Sequence, residues 1–412
     1  MSIIRDINLA EMGRKKIEWA RAYMPVLNEL EKEFVKTKPF NGLSITTSVH
    51  LEAKTACLAL LLAAGGADVH ATGCNPLSTH DDVAAALSTM GVNVFAWYNC
   101  TPDEYKEHLS TALSCHPHLI LDDGGDLTEL LHGDCRAYGD RLIGGTEETT
   151  TGVIRHKQRA VSGQLIFPII AVNDADMKHL FDNRYGTGQS VWDAIMHTTN
   201  IQVTGKTVVV AGYGWCGRGV AMRAAGLGAN VIITEINAIK AIEAVMDGFR
   251  VMKMDDAAPL GDFFCTVTGC KDVIIDRHFA TMKNGAFLTN AGHFDCEVDV
   301  AWLRDNSKER IMRRPNIEGF IQADGRILNV LCEGRLVNLA AGNGHPVEIM
   351  DMSFGVQALA LEYLAKHGKG LEKGVYPVDP KIDARVSEIR LLSSKIGLDV
   401  LTEEQEKYLQ QY

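Results

Sequence analysis

Six short segments concentrate the side chains that donate, accept or hold a proton: Ser48-Val-His-Leu-Glu-Ala-Lys54, Leu121-Asp-Asp-Gly-Gly-Asp126, Glu147-Glu-Thr-Thr-Thr-Gly152, Asp176-Met-Lys-His-Leu-Phe-Asp-Asn183, Gly292-His-Phe-Asp295 and Gly344-His-Pro346. Imidazole, carboxylate and ammonium groups in this mixture suit general acid–base chemistry. Most of the segments stand where an apolar run ends, and α/β sheets bind ligands at the carboxyl ends of their strands. Taken singly, each has a structural reading: His50 as a helix-start histidine, Asp122 and Asp126 as turn or capping residues, Lys178 as a solvated helix charge. Their combination favours a site.

A seventh segment is glycine-rich. In Thr207-Val-Val-Val-Ala-Gly-Tyr-Gly-Trp-Cys-Gly-Arg-Gly219, Gly212, Gly214 and Gly217 keep the G-x-G-x-x-G spacing directly after an apolar, β-branched run. A pyrophosphate needs such a turn because the backbone must come close, and the helix that follows offers N–H groups and the positive end of its dipole. Glu235 closes the next apolar run, about twenty residues on. A carboxylate there accepts from the adenosine ribose hydroxyls and repels a 2′-phosphate, which favours NAD over NADP.

The elements that must position these groups follow a βαβ rhythm. Helical periodicity over Leu9 to Val35 precedes apolar strands at Asn41 to Val49, Ala67 to Ala71, Asn93 to Trp97 and His118 to Leu121, with a helical pattern at Asp81 to Met90. A second rhythm runs through Thr207 to Val210, Asn230 to Thr234, Phe263 to Val267, Ala286 to Asn290 and Ile327 to Leu331. The expected fold class is α/β, with two doubly wound parallel-sheet domains and a helical C-terminal tail. The boundaries read from the sequence are a substrate domain over 1–181 completed by 345–375, a Rossmann domain over 182–344, and an oligomerisation tail over 376–412.

At 412 residues the chain exceeds the size of one growing core, in keeping with two domains. Its 52 acidic against 41 basic residues give a net charge of −11, which argues against nucleic acid or anionic membranes as partners. Ten cysteines without a CxxC pair read as free thiols in a reducing cytoplasm, and no metal site is expected. No apolar run is long enough to span a bilayer.

The segments AGYGWCGRG, ILDDGGDLT, GGTEETTTGV, FDNRYGTGQS, NAGHFDCEVD, EGRLVNLAAGNGHP and HLEAKTA resemble the signature segments of S-adenosylhomocysteine hydrolases, in that family's order and over nearly the whole chain. The resemblance implies thioether hydrolysis run through a bound NAD that oxidises the ribose 3′-position and is regenerated. Such a sequence of steps needs a group for the 3′-hydroxyl proton, a carbon-acid base, an acid for the leaving thiolate and a tightly held nicotinamide. By correspondence with the family's motifs, Lys178, whose pKa burial would depress, and Asp182 handle the 3′-hydroxyl with Glu148 and Asn183. His50 and Asp123 handle the C4′ proton and the 5′ position, and His293 lies on the homocysteine side. Glu52, Lys54, Thr55, His345 and Met350 are expected to contact substrate. Thr149, Thr150, Thr151, Asn183, Gly212, Gly214, Trp215, Cys216, Gly217, Glu235, Ile236, Thr268, Gly292, His293, Asn338 and His345 are expected to contact NAD. The family likeness also implies a homotetramer.

Departures from the family pattern are informative. Thr187 replaces a usual cysteine, His80 a usual glutamine, and the chain lacks the Lys- and Tyr-bearing extension that reaches a neighbour's cofactor site, which implies looser NAD binding. Glu52 and Lys54 replace a threonine and a glutamate or glutamine that read adenine. A lysine only donates and an ionised glutamate only accepts, so this pair suits hypoxanthine, with its O6 acceptor and N1–H donor. S-adenosyl-L-homocysteine is the leading substrate from the family likeness and S-inosyl-L-homocysteine the alternative; Lys54 pointing to solvent or pairing with Glu52 is the structural reading. A conventional NAD dehydrogenase leaves the first polar segments unexplained, and a catalytically inactive relative would have lost a member of the set.

Overall fold

In the computed structural model, which describes residues 2–411, two sheets organise the chain. The first contains β1 (Ser44–Ser48), β2 (Asp68–Thr72), β3 (Asn93–Phe95), β4 (Leu119–Asp122), β5 (Gly144–Glu147) and β6 (Ile169–Ala171). The second contains β7 (Thr207–Ala211), β8 (Asn230–Thr234), β9 (Arg250–Val251), β10 (Phe263–Thr266), β11 (Phe287–Asn290), β12 (Glu309–Arg314), β13 (Ile317–Ile321) and β14 (Ile327–Leu331). The chain then returns to the first sheet and adds β15 (Val375–Tyr376) at its edge, beside β6.

The first sheet is parallel throughout, in the order β15-β6-β5-β4-β1-β2-β3. The second, β12-β13-β14-β11-β10-β7-β8-β9, is parallel except for the antiparallel ribbon β12-β13-β14 at one edge. Strands buried on both faces read as continuous apolar runs. In β7, Val208 and Val210 enter one core cluster and Val209 the opposite one; in β4, Leu119 and Leu121 face one cluster and Ile120 the other.

The N-terminal periodicity resolves into two helices, Ala10–Ala22 and Pro25–Thr37, because Pro25 starts the second without an N–H to give. The helix Pro380–Ser393, read from the sequence as part of a tail, instead packs on its own chain: Ile382 and Val386 are buried in the first core with the long helix Val347–His367. Beyond it, residues 394–411 are exposed, the short helix Glu403–Leu409 included. No helix among the described residues is long and apolar enough to cross a membrane.

Candidate active site

After β7 the backbone turns at Gly212, whose φ of +102° favours glycine. A Cβ on Gly217 would stand 2.0 Å from the Gly212 carbonyl oxygen, so only glycine lets the helix Trp215–Gly226 rest on the turn. Gly214 caps that helix with no side chain and with open space around it, leaving the helix N–H groups to a ligand. Glu235, just past β8, accepts from the N–H groups of Tyr213 (2.7 Å), Ile236 (2.8 Å) and Asn237 (3.0 Å). Burial works against its charge, but those three N–H groups outweigh it and hold the carboxyl below its usual range. A glycine cradle, a free helix N-terminus and an ionised rim carboxylate fit the pyrophosphate and ribose of NAD.

Across the cleft, parallel register sets the ends of β1, β4 and β5 side by side, pairing Ser48 with Asp122 and Asp122 with Glu147. The residues that follow enter the cleft. His50 Nε2 lies 3.5 Å from Asp123 Oδ2, its Nδ1 is 2.7 Å from Ser78 Oγ, and the Cys74 thiol donates to Asp123 at 3.3 Å. Burial, partly offset by Asp123, pushes the His50 imidazole down to about 4, so it is neutral at neutral pH and able to take a proton. His293 comes from the second sheet, with Nδ1 3.9 Å from Asp123 Oδ1 and its ring 6.3 Å from that of His50.

Lys178 is buried among three partners: it donates to Asn183 Oδ1 at 2.7 Å and lies 3.5 Å from Asp182 and 3.6 Å from Glu148. The expectation that burial depresses its pKa is corrected here. Burial does pull it down, but Asp182, Glu148 and Asp123 outweigh it, and the ammonium is held above the ordinary lysine value. Asp182 stays ionised against burial because Lys178 and His345 face it, His345 Nδ1 at 2.9 Å. Glu148 is pushed up to about 8 by burial, against the pull of Lys178, and so carries a proton at neutral pH. The sealed trio of one ammonium, one carboxylate and one carboxylic acid is neutral overall, which keeps the desolvation cost low.

The residues singled out from the sequence fall around one cavity of about 1190 Å³. His50, Asp123, Glu148, Lys178, Asp182, Asn183 and His293 line it, and so do Glu52, Lys54, Thr55, His345 and Met350. Thr149, Thr150, Thr151, Gly212, Gly214, Trp215, Cys216, Glu235, Ile236, Thr268, Gly292 and Asn338 line it as well. Gly217 does not line it; it is needed beneath the loop. Sequence reasoning missed Cys74 and Ser78 beside His50. It also missed Ser353, which donates to Asp182 at 2.8 Å, and Gln357, which donates to Glu148 at 2.5 Å. The signal for the last two was available: four residues apart on one helix face, they are the only polar side chains between Met352 and Leu361.

Comparison with known proteins decides what this cleft belongs to. The model described as "S-adenosyl-L-homocysteine hydrolase" matches residues 2–140, and that of its "NAD binding domain" matches residues 183–344. The chain is 53% identical to the S-inosyl-L-homocysteine hydrolase of Methanopyrus kandleri, covering 99% of this chain and 97% of that protein. It is likewise 53% identical to the S-inosyl-L-homocysteine hydrolase of Methanocaldococcus jannaschii (99% and 98%) and 52% identical to the adenosylhomocysteinase of Pyrococcus abyssi (99% and 97%). The chain belongs to the S-adenosyl-L-homocysteine hydrolase family. As a member it is an NAD-dependent enzyme that hydrolyses a purine-nucleoside homocysteine thioether. NAD supplies the reversible oxidation of the ribose 3′-carbon; the hydrolase's own side chains must hold the sugar, move its protons and exclude water. Overall identity does not choose between the two names its relatives carry, so base specificity has to be argued from the cavity.

Proposed function

We propose that the enzyme takes a 6-oxopurine thioether, S-inosyl-L-homocysteine, in preference to S-adenosyl-L-homocysteine. The observation that supports this is the unused bonding capacity of Glu52 and Lys54. Lys54 does not point to solvent. It is buried, with its Nζ 2.9 Å from Glu52 Oε2 and donating to the Asn343 carbonyl at 2.8 Å. An ammonium has three N–H groups, so one remains. Glu52 Oε2 also accepts from the Lys54 backbone N–H at 3.0 Å, which leaves Oε1 as an acceptor. With Lys54 Nζ set against position 6 of the purine and Glu52 Oε1 against position 1, the pose proposed here, the free donor and free acceptor complement O6 and N1–H of hypoxanthine. Adenine would set its amino donor against the lysine, a mismatch costing about 1 to 3 kcal/mol when buried. The test is the ratio of kcat/KM for the inosyl over the adenosyl thioether, in the parent enzyme and in Glu52→Thr with Lys54→Glu. The parent should favour the inosyl thioether and the double variant should reverse the order. A parent that prefers the adenosyl thioether by tenfold or more overturns the proposal.

At the reacting end, ionised Asp182 accepts from the 3′-hydroxyl while Lys178 holds its oxygen, and Glu148 with Asn183 completes the ring of contacts. Asp123 and His50, whose imidazole is neutral, take the C4′ proton and serve the 5′ position, with His293 toward the homocysteine. Thr149, Thr150, Thr151 and Asn338 hold the nicotinamide half of NAD, and Glu235 the adenosine ribose. A substrate unit over 1–181, completed by 345–375, and a Rossmann unit over 182–344 are joined by two crossings of the chain and form a cleft that closes over the sugar. We further propose a cytoplasmic homotetramer. Exposed Leu398, Val400, Leu401 and Leu409 beyond the last packed helix support association, and light scattering tests it.

A further inference from the structure

Two of the three proposed catalytic carboxyls are preceded by a second acid: Asp122 before Asp123 and Glu147 before Glu148. Strand alternation sends the two members of each pair to opposite sides. Asp123 and Glu148 line the cleft, while Asp122 and Glu147 are buried behind it, facing each other in register across β4 and β5.

Glu147 is fully buried, and the reaction as described has no use for it. Its Oε1 accepts two backbone N–H groups, from Gly124 at 2.9 Å and Thr149 at 3.0 Å. Those residues immediately follow Asp123 and Glu148. A single oxygen therefore ties together the two turns from which the catalytic carboxyls project. Its Oε2 lies 2.9 Å from His156 Nε2, also buried, which fixes the rotation of the carboxyl. The helix beginning at Thr150 makes room for this arrangement: a Cβ on Gly152 would fall 2.1 Å from the Glu147 carboxyl carbon. Asp122 spends both oxygens on the N–H groups of Leu127 (3.3 Å) and Thr128 (2.8 Å). Although Asp122, Glu147 and His156 stand close enough together to ligate a cation, their inward atoms are already committed to one another and to backbone N–H groups.

We propose that Glu147, oriented by His156, is a positioning residue that sets the spacing between Asp123 and Glu148, and so matches the 3′-oxidation half of the reaction to the C4′-proton half. This rests on the roles proposed above for Asp123 and Glu148. Burial pushes the Glu147 carboxyl well above its usual range and the His156 imidazole down to about 3. That direction favours the protonated carboxyl, in which the hydroxyl on Oε2 donates to His156 Nε2 and Oε1 accepts both N–H groups. Glutamine reproduces that pattern atom for atom, its amide nitrogen donating to His156 and its oxygen accepting twice.

Two partial reactions in sequence read the two carboxyls. Absorbance at about 340 nm on mixing with inosine or adenosine reports 3′-oxidation, expressed per bound NAD in the holoenzyme. Mass spectrometry of solvent deuterium entering the recovered nucleoside reports C4′-proton removal, expressed per NADH formed because that proton is acidic only beside the 3′-ketone. Glu147→Ala should lower both rates by about tenfold or more, in equal proportion to within threefold, whereas Glu147→Gln should stay within threefold of the parent. Glu147→Asp, one methylene too short for both N–H groups, should lose both rates as alanine does. General destabilisation would lower NAD content and melting temperature without fixing the ratio of the two rates. Retention of either rate in Glu147→Ala overturns the proposal. So does a Gln variant as impaired as Ala, since that would make charge, a proton or a cation the important property. Where the Ala variant does not fold, the Gln and Asp variants decide alone, and an Asp variant within threefold of the parent on both rates overturns it. Asp123→Asn and Glu148→Gln run alongside: parent-like rates in these two defeat the role assignment itself, a result distinct from failure of the positioning idea.

Discussion

The two sheets meet the same cleft with different chemistry. At the carboxyl ends of β7 and β11 the cleft walls are made by backbone and small residues, Gly212, Gly214 and Gly292, with Glu235 and His293 beside them. At the ends of β1, β4 and β5 they are made by ionisable side chains, His50, Asp123 and Glu148, backed by a second layer of buried acids. A glycine cradle depends on the absence of atoms and is indifferent to pH. The charged cluster depends on mutual compensation, so removing any one member changes the protonation of the others. Substitution should therefore damage the two halves in different ways.

The largest expected effect is at Lys178. Lys178→Ala leaves Asp182 buried without its cation, so that carboxyl takes up a proton as Glu148 already has, and the 3′-hydroxyl loses its ionised partner. Nucleoside-dependent reduction of NAD should fall by about 10²- to 10⁴-fold while NAD, held by the other sheet, remains bound. Unchanged bleaching of NAD on mixing with nucleoside would show that the ammonium does not touch the reacting oxygen.

In the cofactor half the corresponding lesion is steric. Gly217→Ala places a methyl group 2.0 Å from the Gly212 carbonyl oxygen, and the helix must move away at a cost of about 1 to 3 kcal/mol. The purified variant should hold roughly tenfold less NAD at subsaturating cofactor, with the same loss at pH 6 and pH 8. A pH-dependent loss would contradict the division between the two halves. A smaller effect is expected at the ribose rim, where Asn237 is unsuitable for change because it caps the helix Ala238–Met246 through the N–H groups of Ile239 and Lys240. Glu235→Ser with Ile236→Arg, the latter at a fully exposed position, removes the repulsion and adds a phosphate partner. Preference should move toward NADP by about tenfold, from one charge-assisted contact of roughly 1.5 kcal/mol. Unchanged discrimination in cofactor reconstitution would place Glu235 away from the ribose.

The same contrast explains what could be read from the sequence. The glycine loop was legible because its constraint is local: a strand, three glycines and the helix Trp215–Gly226 follow one another directly from Thr207. Membership of the charged cluster was legible as well, since His50, Asp123, Glu148 and Lys178 stand in dense polar segments at strand ends. Their protonation was not, because Lys178 owes its charge to Asp182 and to Asp123, 55 residues earlier in the chain, and the second of these no spacing rule identifies. Ser353 and Gln357 reach Asp182 and Glu148 across separations of 171 and 209 residues. Strand β5 escaped notice because it starts with two glycines, and a Cβ on Gly145 would stand 2.6 Å from the Ile120 side chain. Close packing of adjacent strands had removed the apolar signal by which strands are recognised.

The comparison extends to how each half caps its helices, and this gives the smallest effect. Asp351, on the long helix Val347–His367, is completely buried and accepts from the N–H groups of Val26 and Leu27 (both 2.9 Å) at the start of the helix Pro25–Thr37. Burial pushes its carboxyl up to about 6, against those two N–H groups and Arg390, while Glu348 adds to the rise. Because the folded value lies above the unfolded value of about 3.9, folding favours the protonated acid. The contribution to stability is thus full below the unfolded value and is lost as pH rises through about 6. The amide of Asp351→Asn cannot ionise, and the hydrogen bond it forfeits costs the same at every pH. The melting temperature of the Asn variant relative to the parent should therefore improve between pH 4 and pH 7, by the equivalent of about 1 to 3 kcal/mol. In the cofactor half, Asn237→Ala removes a neutral cap and should cost about 1 kcal/mol at both pH values. Equal pH slopes in the two variants would mean that Asp351 is ionised in the folded protein throughout this range, and that the buried acids of the first half behave no differently from the amide cap of the second.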